Sequence, residues 1–377
     1  MPIKLLFILR KKIIVSVISD IVTDQRVQKE CNTLVEMGYD VCLAGRNSSR
    51  EFLLDKLPFR IIRFRNPFKR GVLMYFVFNV QLFFFLLFRN TDVLWANDLD
   101  TMLPNFLVSR LKNKKLVYDS HEYFTASVNK KSSRKIWARM EKYIFPKLKN
   151  VITVNNSIKN IYEKKYKVPV TVVRNVPYNY VISEASQKVI LPPDKKILLI
   201  QGMGINENRG AEEAILTMQY LPDDYILYFI GSGTIWGRLK QLVHELKLSE
   251  KVIFIEPLPY LEMMEYTRQS FLGLIFEKID ASEEHLFALP NKFFDYVHAG
   301  IPVLSSEAVE IKLLIDQYHV GDTIGNFDPS EIAKKILEIS KNKNVYDLWK
   351  QNTAEASEDL NWENEEKSLI NFMQNVS

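Results

Sequence analysis

The chain has 377 residues, of which 47% are apolar and 25% are charged, and its net charge is +5. This composition is typical of a folded globular protein long enough for two domains, and it argues against long disordered stretches. The small positive charge argues against a dedicated nucleic-acid-binding protein. Cys31 and Cys42 are the only cysteines, which is too few for a disulfide framework or a cysteine metal site and indicates a reducing, cytoplasmic compartment.

Two segments need a test for membrane targeting. The N-terminal residues 1–20 contain a short apolar run without a small-residue cleavage site, so we expect no signal peptide. Residues 71–88 are the only candidate for a membrane span, but the run is at the lower length limit and includes Asn79 and Gln81. We predict a buried or interfacial helix there rather than a span.

Short runs rich in Val and Ile alternate with helix-length segments along the chain. Runs that are apolar throughout are typical of parallel strands buried on both faces. We predict strands at 13–18, 41–44, 61–64, 93–96, 116–118, 151–154, 170–173, 197–200, 226–230, 252–255, 272–276 and 302–305. Repeated strand–helix units of this kind indicate doubly wound sheets.

A polar, proline-containing segment near 178–194 separates the strands into two sets. We therefore predict an α/β protein with two Rossmann-like, doubly wound domains at 1–180 and 195–358, followed by a helix at 359–377 that can pack back toward the N-terminal domain. Ligands of such sheets bind outside the carboxyl ends of the strands. The loops that follow the strands are therefore the candidate sites.

The segment "QGMGINENRGAEEAI" follows a predicted strand and opens a helix, so its backbone N–H groups favour an anion. Gly204 allows close backbone approach, and Arg209 can bind a phosphate. The dinucleotide fingerprint is not met, because Glu207 replaces its third glycine. An ordinary glycine-rich turn remains an alternative. Gly231 and Gly233, in "IGSG", offer a second and weaker close-approach surface.

The segment "LPNKFFDYVHAGIPVL" predicts a short helix with Asn291 as its N-cap. Its phenylalanines and valine form one apolar arc, and Lys292, Asp295 and Tyr296 share the other side. Facing a ligand, the carboxylate can accept hydrogen bonds from two ribose hydroxyls and the lysine can meet a phosphate. Facing solvent, the two charges would form a weak i,i+3 ion pair. Helical geometry alone leaves both interpretations open.

Resemblance to a known family distinguishes the ligand-facing interpretation of this helix from the solvent-facing one. "LPNKFFDYVHAGIPVL" resembles the P-x-K-x-x-E-Y-x-A-x-G-x-P-V signature of GT-B glycosyltransferases of family 4 (group 1), and "GMGINENRGAEEAI" is similar to their phosphate-binding loop. "SDIVTDQRVQKECNTLVEMGYDVCLAGR", "DVLWANDLDTMLP" and "DSHEYF" resemble their acceptor domain. The resemblance spans nearly the whole chain in order. It implies the GT-B fold, in which two Rossmann-like domains face a cleft.

The resemblance also implies roles for residues in the second half. Asp295 would hold the ribose of a nucleotide-diphosphate sugar, although the family usually has the longer glutamate there. Arg209 and Lys292 would neutralise the diphosphate, and Gly204 would approach it through its backbone. The glycines of "IGSG" belong to the same donor region.

This chain departs from the family pattern at a position that usually lies near the donor sugar. A second glutamate is common eight residues before the ribose-binding acid, but this chain has Phe287 there. Glu284, His285 and Asn291 are therefore the candidates for the donor-sugar region.

In the first half, His121 matches the family histidine near the anomeric carbon of the donor, and it is the candidate catalytic residue. Asp98 lies in the matched acceptor region. Asp20, Asp24 and Arg26 follow the first predicted strand. They could contact the acceptor, or they could cap the next helix, and these alternatives remain open.

Residues 128–149 carry eight Lys or Arg residues and one Glu, interleaved with aromatic and aliphatic side chains. This pattern is typical of a basic interfacial segment that binds anionic lipid headgroups, although a solvated face over an ordinary core helix is the alternative. We predict reversible binding to an anionic membrane, as a peripheral protein at the inner face of the plasma membrane.

The family resemblance implies a hexosyltransferase that moves a sugar from a nucleotide-diphosphate sugar to a saccharide or lipid-linked saccharide, in bacterial-type surface polysaccharide synthesis. It implies a retaining reaction in which the departing phosphate helps to deprotonate the acceptor. No Ser-His-Asp set or metal-spaced carboxylate pair is evident, so we expect neither a metal nor a cofactor. The alternatives are a nucleotide-sugar 2-epimerase of the same fold and a non-catalytic nucleotide-sugar-binding protein.

Overall fold

The computed structural model describes residues 10–21, 24–47, 57–68, 71–127, 131–179 and 189–376. Two compact units make up the chain: the first unit contains residues 1–174 and 365–377, and the second contains 175–364. The chain thus passes between units at 174/175 and 364/365, whereas the sequence predicted limits at 180–195 and 358/359. Residues 180–188 of the predicted linker lie outside the described residues.

The first unit is a parallel sheet with helices between its strands. Its elements are β1 (Lys12–Asp20), α1 (Gln25–Glu36), β2 (Asp40–Arg46), β3 (Arg60–Phe64), α2 (Val72–Phe88), β4 (Val93–Asn97), α3 (Asp98–Leu111), β5 (Lys115–Ser120), α4 (Phe124–Ser127), α5 (Lys131–Ile144), a 3-10 turn (Phe145–Lys147), β6 (Asn150–Thr153), α6 (Asn156–Tyr166) and β7 (Val170–Val172). The strand order is β3-β2-β1-β4-β5-β6-β7.

The second unit repeats this plan. Its elements are β8 (Lys196–Gly202), α7 (Ala211–Thr217), β9 (Tyr225–Gly231), α8 (Trp236–Glu245), β10 (Val252–Ile255), α9 (Tyr260–Arg268), β11 (Leu272–Ile275), α10 (Glu283–Leu286), α11 (Asn291–His298), β12 (Val303–Ser306), α12 (Val309–Tyr318), β13 (Gly321–Ile324), α13 (Pro329–Lys341), α14 (Lys343–Asp359) and α15 (Trp362–Val376). The strand order is β10-β9-β8-β11-β12-β13. Helix α15 continues into the first unit from Glu365 onward.

Every predicted strand is present, and β13 is the strand that the apolar pattern missed. Its sequence, Gly-Asp-Thr-Ile, contains a single strongly apolar side chain. Gly321 pairs with Val303 of β12, and a Cβ on this glycine would lie 1.9 Å from the Val303 carbonyl oxygen. Close backbone approach, rather than apolar character, therefore defines this edge strand.

Both sheets reverse their strand order once, between β1 and β4 in the first unit and between β8 and β11 in the second. At such a reversal the adjoining helices lie on opposite faces of the sheet and leave a crevice at the carboxyl ends of the strands, where ligands bind. The residues that follow β1, β4, β8 and β11 are therefore the candidate ligand-binding residues of the two units.

Helix α2 corresponds to the predicted helix at 71–88. One face, made by Met74, Phe78, Leu82 and Leu86, is buried against the first sheet and its neighbours. The amide of Asn79 donates to the Asp100 carbonyl at 2.8 Å, which joins α2 to α3. Among the helices of the described residues, none has both the length and the apolar character that crossing a bilayer requires.

A substitution at Gly273 in β11 can test the packing of the second sheet, because a Cβ there would lie 2.2 Å from the Tyr296 ring. We expect Gly273→Ala to lower the free energy of unfolding by about 1–3 kcal/mol, the range for overpacking a core. The matched control is Gly237→Ala in α8, where nothing lies within 4 Å of the added methyl group. Denaturant unfolding followed by circular dichroism should rank Gly273→Ala below both the control and the wild type; equal midpoints would contradict this packing.

Candidate active site

The two glycine-rich loops of the second unit pack directly against each other. Gly202 pairs with Gly231, and a Cβ on Gly231 would lie 2.0 Å from the Gly202 carbonyl oxygen. A Cβ on Gly233 would lie 1.8 Å from the carbonyl oxygen of Ile205, whose N–H donates to Ser232 at 3.1 Å. Contact between the loops therefore accounts for Gly231 and Gly233, and a ligand-binding role for them stays a prediction.

Gly204 differs from these two glycines. It is exposed, and the nearest atom to an added Cβ would be the Asn206 side-chain nitrogen at 4.0 Å. The loop leads into α7, as predicted, but the first turn of that helix carries Glu212 and Glu213. Acidic side chains at a helix N-terminus offset its positive end. Gly204 and Arg209, rather than the helix end, are thus the features of this loop suited to a phosphate.

Arg209 joins two loops of the second unit through ion pairs. Its Nη1 lies 2.9 Å from Glu277 Oε1, and its Nη2 lies 3.1 Å from Glu284 Oε1. The other oxygen of Glu277 lies 2.6 Å from His285 Nδ1. The predicted residues Arg209, Glu284 and His285 are therefore brought together around one buried carboxylate that the sequence analysis did not single out.

That carboxylate, Glu277, follows β11 at the reversal of strand order. Burial raises the pKa of Glu277, but the hydrogen bond from His285 and the charges of Arg209 and Lys292 outweigh burial and lower the pKa below its usual value. A buried acid held ionised by cations at a strand's carboxyl end is a candidate functional residue. The signal was available in the sequence, because Glu277 directly follows a predicted buried strand.

Lys292 and Asp295 lie on α11, close to this cluster. Burial lowers the pKa of Lys292 to about 8, with the nearby Arg209 acting in the same direction and Glu277 opposing it. The buried Asp295 accepts hydrogen bonds from the Tyr260 hydroxyl at 2.9 Å and from the Gln201 amide at 3.0 Å. Neutral donors from two other elements therefore orient the Asp295 carboxylate.

Two details of the predicted helix are corrected by the structure. Pro290 is the N-cap, and the exposed Asn291 is the first helical residue. Tyr296 was assigned to the polar side, but it is fully buried and its hydroxyl donates to the Leu199 carbonyl at 3.0 Å. The space left by Gly273 admits the ring, so sheet packing overrides the polar character of the hydroxyl.

In the first unit, His121 lies just after β5, surrounded by acceptor oxygens. Its Nε2 lies 3.0 Å from Asn97 Oδ1 and 3.1 Å from Asp119 Oδ2, and its Nδ1 lies 3.6 Å from Asp98 Oδ2. The backbone N–H of His121 also donates to Asp98 Oδ1 at 3.0 Å. Burial lowers the pKa of the imidazole, but Asp98 and Asp119 outweigh it and raise the pKa to about 10. His121 is therefore a fixed imidazolium at neutral pH.

Arg26 is buried in the first unit, although the sequence analysis made it a candidate for contact with the acceptor. It is only 2% exposed, and both Asp119 oxygens lie against its guanidinium, at 2.9 and 2.7 Å. It also lies 3.0 Å from Glu30 and donates to the Val173 carbonyl at 2.7 Å. Arg26 is therefore a positioning residue behind His121, because it fixes the Asp119 carboxylate that the imidazolium contacts.

Of the other two candidates near the end of β1, the structure describes the side chain of Asp24 only. Asp24 is the N-cap of α1 and accepts from the Val27 N–H at 3.2 Å, so the capping interpretation holds for it. Asp20 ends β1, and its side chain lies outside the described part.

Asp98 follows β4 with a φ of 55°, in the left-handed region that aspartate tolerates. Burial raises the pKa of Asp98 to about 7, although His121 opposes this shift.

Glu30, Asp119 and His121 bring potential metal-ligand atoms within 4.8 Å of one another. The Arg26 guanidinium already lies among them and contacts both acids. A divalent cation would have to displace this buried positive charge. The cluster is therefore better suited to holding His121 than to binding a metal.

Two family models match consecutive parts of the chain. The model described as Glycosyltransferase Family 4 matches residues 25–176, and the model described as Glycosyl transferases group 1 matches residues 181–356. Together they cover most of the chain. The chain belongs to glycosyltransferase family 4, group 1. The suspected family membership and the prediction of a glycosyltransferase are confirmed.

Solved structures similar to this glycosyltransferase have its fold at low sequence identity. Sucrose-phosphate synthase from Thermosynechococcus elongatus matches with a TM-score of 0.78 and 16% identity over 97% of this chain and 99% of the other. HepE from Anabaena, in complex with UDP-glucose, matches with a TM-score of 0.76 and 12% identity over 97% and 99%. WaaG, a glycosyltransferase involved in lipopolysaccharide biosynthesis, matches with a TM-score of 0.67 and 14% identity over 95% and 98%.

These likenesses, with the two parallel sheets, confirm the predicted GT-B fold. No curated protein matches this glycosyltransferase by sequence.

The charge of His121 in this glycosyltransferase can be measured by NMR titration of its ring nitrogens. We expect a pKa near 10, well above the ordinary value of about 6.5, because Asp98 and Asp119 favour the charged ring. Asp98→Asn should lower this pKa. The control is Asp40→Asn, which should not change it, because Asp40 pairs with Arg60 elsewhere in the first unit. A wild-type titration near 6.5 would show that His121 is neutral in the cell and would contradict the imidazolium assignment.

Proposed function

We propose that this glycosyltransferase moves a hexose from a nucleotide-diphosphate sugar to a hydroxyl of a lipid-linked saccharide, with retention of anomeric configuration and without a metal or cofactor. The observation that carries the proposal is the cluster of Arg209, Lys292 and Asp295 at the strand-order reversal of the second unit. It combines cations for a diphosphate with an oriented carboxylate for a ribose. The UDP-glucose bound by HepE supports a donor of this class.

Asp295 suits the ribose because its carboxylate oxygens are already positioned by Tyr260 and Gln201. An ionised carboxylate offers about four lone-pair sites, so it can accept from these donors and from sugar hydroxyls together. A carboxylate that is fixed before binding loses little conformational entropy when the ligand arrives. In this proposal Asp295 is therefore oriented for the ribose before the donor binds.

The cations Arg209 and Lys292 suit a leaving group that becomes negatively charged. As the bond from the anomeric carbon to the phosphate oxygen breaks, negative charge grows on the nucleotide diphosphate, and preorganised cations stabilise it. Glu277 and Glu284 hold the Arg209 guanidinium in place before the donor binds. With a pKa of about 8, Lys292 is still mainly protonated at neutral pH and supplies the second charge.

For the reaction itself, we propose attack on the face from which the diphosphate departs. The acceptor oxygen forms a bond to the anomeric carbon, the bond to the phosphate oxygen breaks, and a departing phosphate oxygen takes the hydroxyl proton. His121 is not suited to the role of base, because its ring is already protonated at neutral pH. Its role in this proposal is that of a fixed cation that donates a hydrogen bond to the substrate.

Asp295→Ala should weaken binding of UDP or GDP at least tenfold in calorimetry, because the ribose loses its carboxylate partner. Asp295→Asn, which keeps the side-chain shape, should weaken binding less. The matched control is Asp223→Ala, at an exposed aspartate of the same unit that pairs with Lys251. If Asp295→Ala binds nucleotide as tightly as the control, the role of Asp295 is wrong.

Incubation with a panel of UDP- and GDP-sugars and a membrane lipid extract extends this test. Sugar transfer by the wild type and its loss in Asp295→Ala would support the proposal. Epimerisation of the free donor would instead identify a nucleotide-sugar 2-epimerase. Binding without turnover of any donor would identify a non-catalytic nucleotide-sugar-binding protein.

We also propose that the protein works as a peripheral protein on the inner face of the plasma membrane, in surface polysaccharide synthesis. Within the described part of the chain, most of the exposed large apolar side chains lie on three neighbouring helices of the first unit. We call them the apolar face: Val72, Leu73, Phe76, Val80, Phe84 and Phe88 of α2, Leu103, Leu107 and Leu111 of α3, and Ile136 and Tyr143 of α5. Soluble monomers seldom expose large contiguous apolar patches.

Charge favours a lipid surface over another protein as the partner of this face. Helix α5 exposes Arg134, Lys135, Arg139 and Lys142 beside its apolar residues. Its lone acid, Glu141, is buried against Lys165 and Tyr166. Apolar side chains at acyl depth and basic ones at headgroup level are the pattern of an interfacial helix. The named role of WaaG in lipopolysaccharide biosynthesis supports a surface polysaccharide pathway.

Vesicle co-sedimentation tests the apolar face. The double variant Leu103→Asp/Leu107→Asp should bind vesicles containing phosphatidylglycerol at least tenfold more weakly than the wild type. The matched control is Leu313→Asp/Leu348→Asp, at comparably exposed leucines of the second unit. Charge reversal at Arg134, Lys135 and Arg139 should also release the protein, and each lost cation weakens attachment by about 1 kcal/mol.

Two results would contradict the membrane proposal. One is vesicle binding that is equal in the wild type and in the apolar-face variants. The other is a wild-type dimer, measured by sedimentation without vesicles, that becomes a monomer in Leu103→Asp/Leu107→Asp, because the face would then be a subunit interface.

A further inference from the structure

The guanidinium that is proposed to meet the donor diphosphate already has two carboxylate partners. Arg209 Nη1 lies 2.9 Å from Glu277 Oε1, and Arg209 Nη2 lies 3.1 Å from Glu284 Oε1. Each terminal nitrogen of the guanidinium therefore contacts one acid. A phosphate that binds this side chain through the same fork of N–H groups has to replace one of the two acids.

The two carboxylates differ in how firmly they are held. Glu277 is 1% exposed, and its second oxygen lies 2.6 Å from His285 Nδ1. Glu284 is 18% exposed and lies on α10, a helix of four residues. Separating Glu277 from its cation would leave a buried charge unpaired, which is strongly unfavourable, whereas Glu284 can turn into water. Glu284 is therefore the partner that an anion can replace.

Helix α10 has contacts that do not depend on Glu284. His285 is buried and bound to Glu277, and its backbone N–H donates to Ser282 Oγ at 3.4 Å. Release of Arg209 therefore needs a new rotamer of Glu284 and no movement of the helix. Because the Arg209 side chain is itself 24% exposed, an incoming ligand can reach it.

The loop before α7, which carries Arg209, has anchors of its own. Asn206 Oδ1 accepts from the Thr234 N–H at 2.9 Å, on the β9 side of the loop. The Asn208 carbonyl accepts from the Lys278 N–H at 2.9 Å, on the β11 side. The position of the loop backbone therefore does not depend on the carboxylate of α10, and the guanidinium stays in place when that carboxylate leaves.

We propose that Glu284 is a displaceable counterion of Arg209 and thereby a specificity-determining residue of the donor site. Before the donor binds, Glu284 occupies the position that a phosphate oxygen takes afterwards. The inference rests on the proposed function, since it concerns the diphosphate-binding cation of that transfer. Displacement weakens the binding of every anion alike, and only a ligand with further contacts, such as a ribose at Asp295, recovers the loss. Simple inorganic anions are thereby kept off this cation.

Glu284→Gln tests the displacement, because it keeps the shape of the side chain and removes its charge. UDP is the first probe, since it lacks the donor sugar and is insensitive to any contact between Glu284 and that sugar. Inorganic pyrophosphate is the second. We expect each to bind about fivefold more tightly to Glu284→Gln than to the wild type in calorimetry, the equivalent of one partly exposed ion pair.

The matched control is Glu283→Gln, which removes the same charge from the neighbouring, exposed residue of α10. It should change the affinity for UDP by less than about twofold, because water and salt screen an exposed charge. Equal gains in Glu283→Gln and Glu284→Gln would show a general effect of net charge and would overturn the proposal.

A double-mutant cycle tests whether the gain acts through Arg209. In the Arg209→Gln background, Glu284→Gln should leave UDP binding unchanged in ligand-observed NMR, because the ion pair that it removes is already lost. A gain of full size in this background would overturn the counterion role, since the carboxylate would then repel the ligand directly.

The two probes also separate this inference from the proposed function. UDP that binds the wild type and gains nothing from Glu284→Gln would overturn the counterion role and leave the donor site standing. A gain for pyrophosphate with no binding of UDP or GDP would support the counterion role and overturn the proposed sugar transfer.

Discussion

Burying a charged side chain is unfavourable unless an opposite charge lies beside it, and both candidate sites of this protein satisfy that constraint with clusters of alternating charge. In the first unit, Arg26, Asp119 and His121 form one such chain, in which each ion is held by the next. In the second, Glu277 lies between Arg209 and His285. Removing one member leaves its neighbour buried and unpaired, so these clusters fix the positions of the groups that would meet substrate.

The same clusters determine the protonation states available for catalysis. Two carboxylates keep His121 charged, which suits a fixed electrostatic role and does not suit proton abstraction. Burial lowers the pKa of Lys292 to about 8, and the nearby Glu277 limits that shift. Preset cations, together with a His121 ring that is already protonated, favour stabilisation of a departing diphosphate over general base catalysis by His121.

Helix α2 belongs both to the core of the first unit and to the surface that is proposed to bind the membrane. Its buried face, from Met74 to Leu86, anchors it in the first unit, and its opposite face exposes a row of phenylalanines. Tyr75 of the same helix packs edge-on against Trp137 of α5. A single helix thus joins the core of the first unit to the proposed membrane surface.

The sequence by itself determined the two doubly wound sheets, because strands buried on both faces need continuous apolar runs that are visible locally. Its contiguous motifs also singled out Arg209, Lys292, Asp295 and His121 as candidates, and their roles stay predictions. Tertiary structure alone decided that Arg26 is buried behind His121, since its partner Asp119 lies 93 positions away. It likewise decided the contacts of Glu277 with Arg209 and His285, the burial of Tyr296 and the edge strand β13. Each depends on pairing between distant segments, which a local pattern does not show; for Glu277 the local signal was limited to its position directly after a predicted strand.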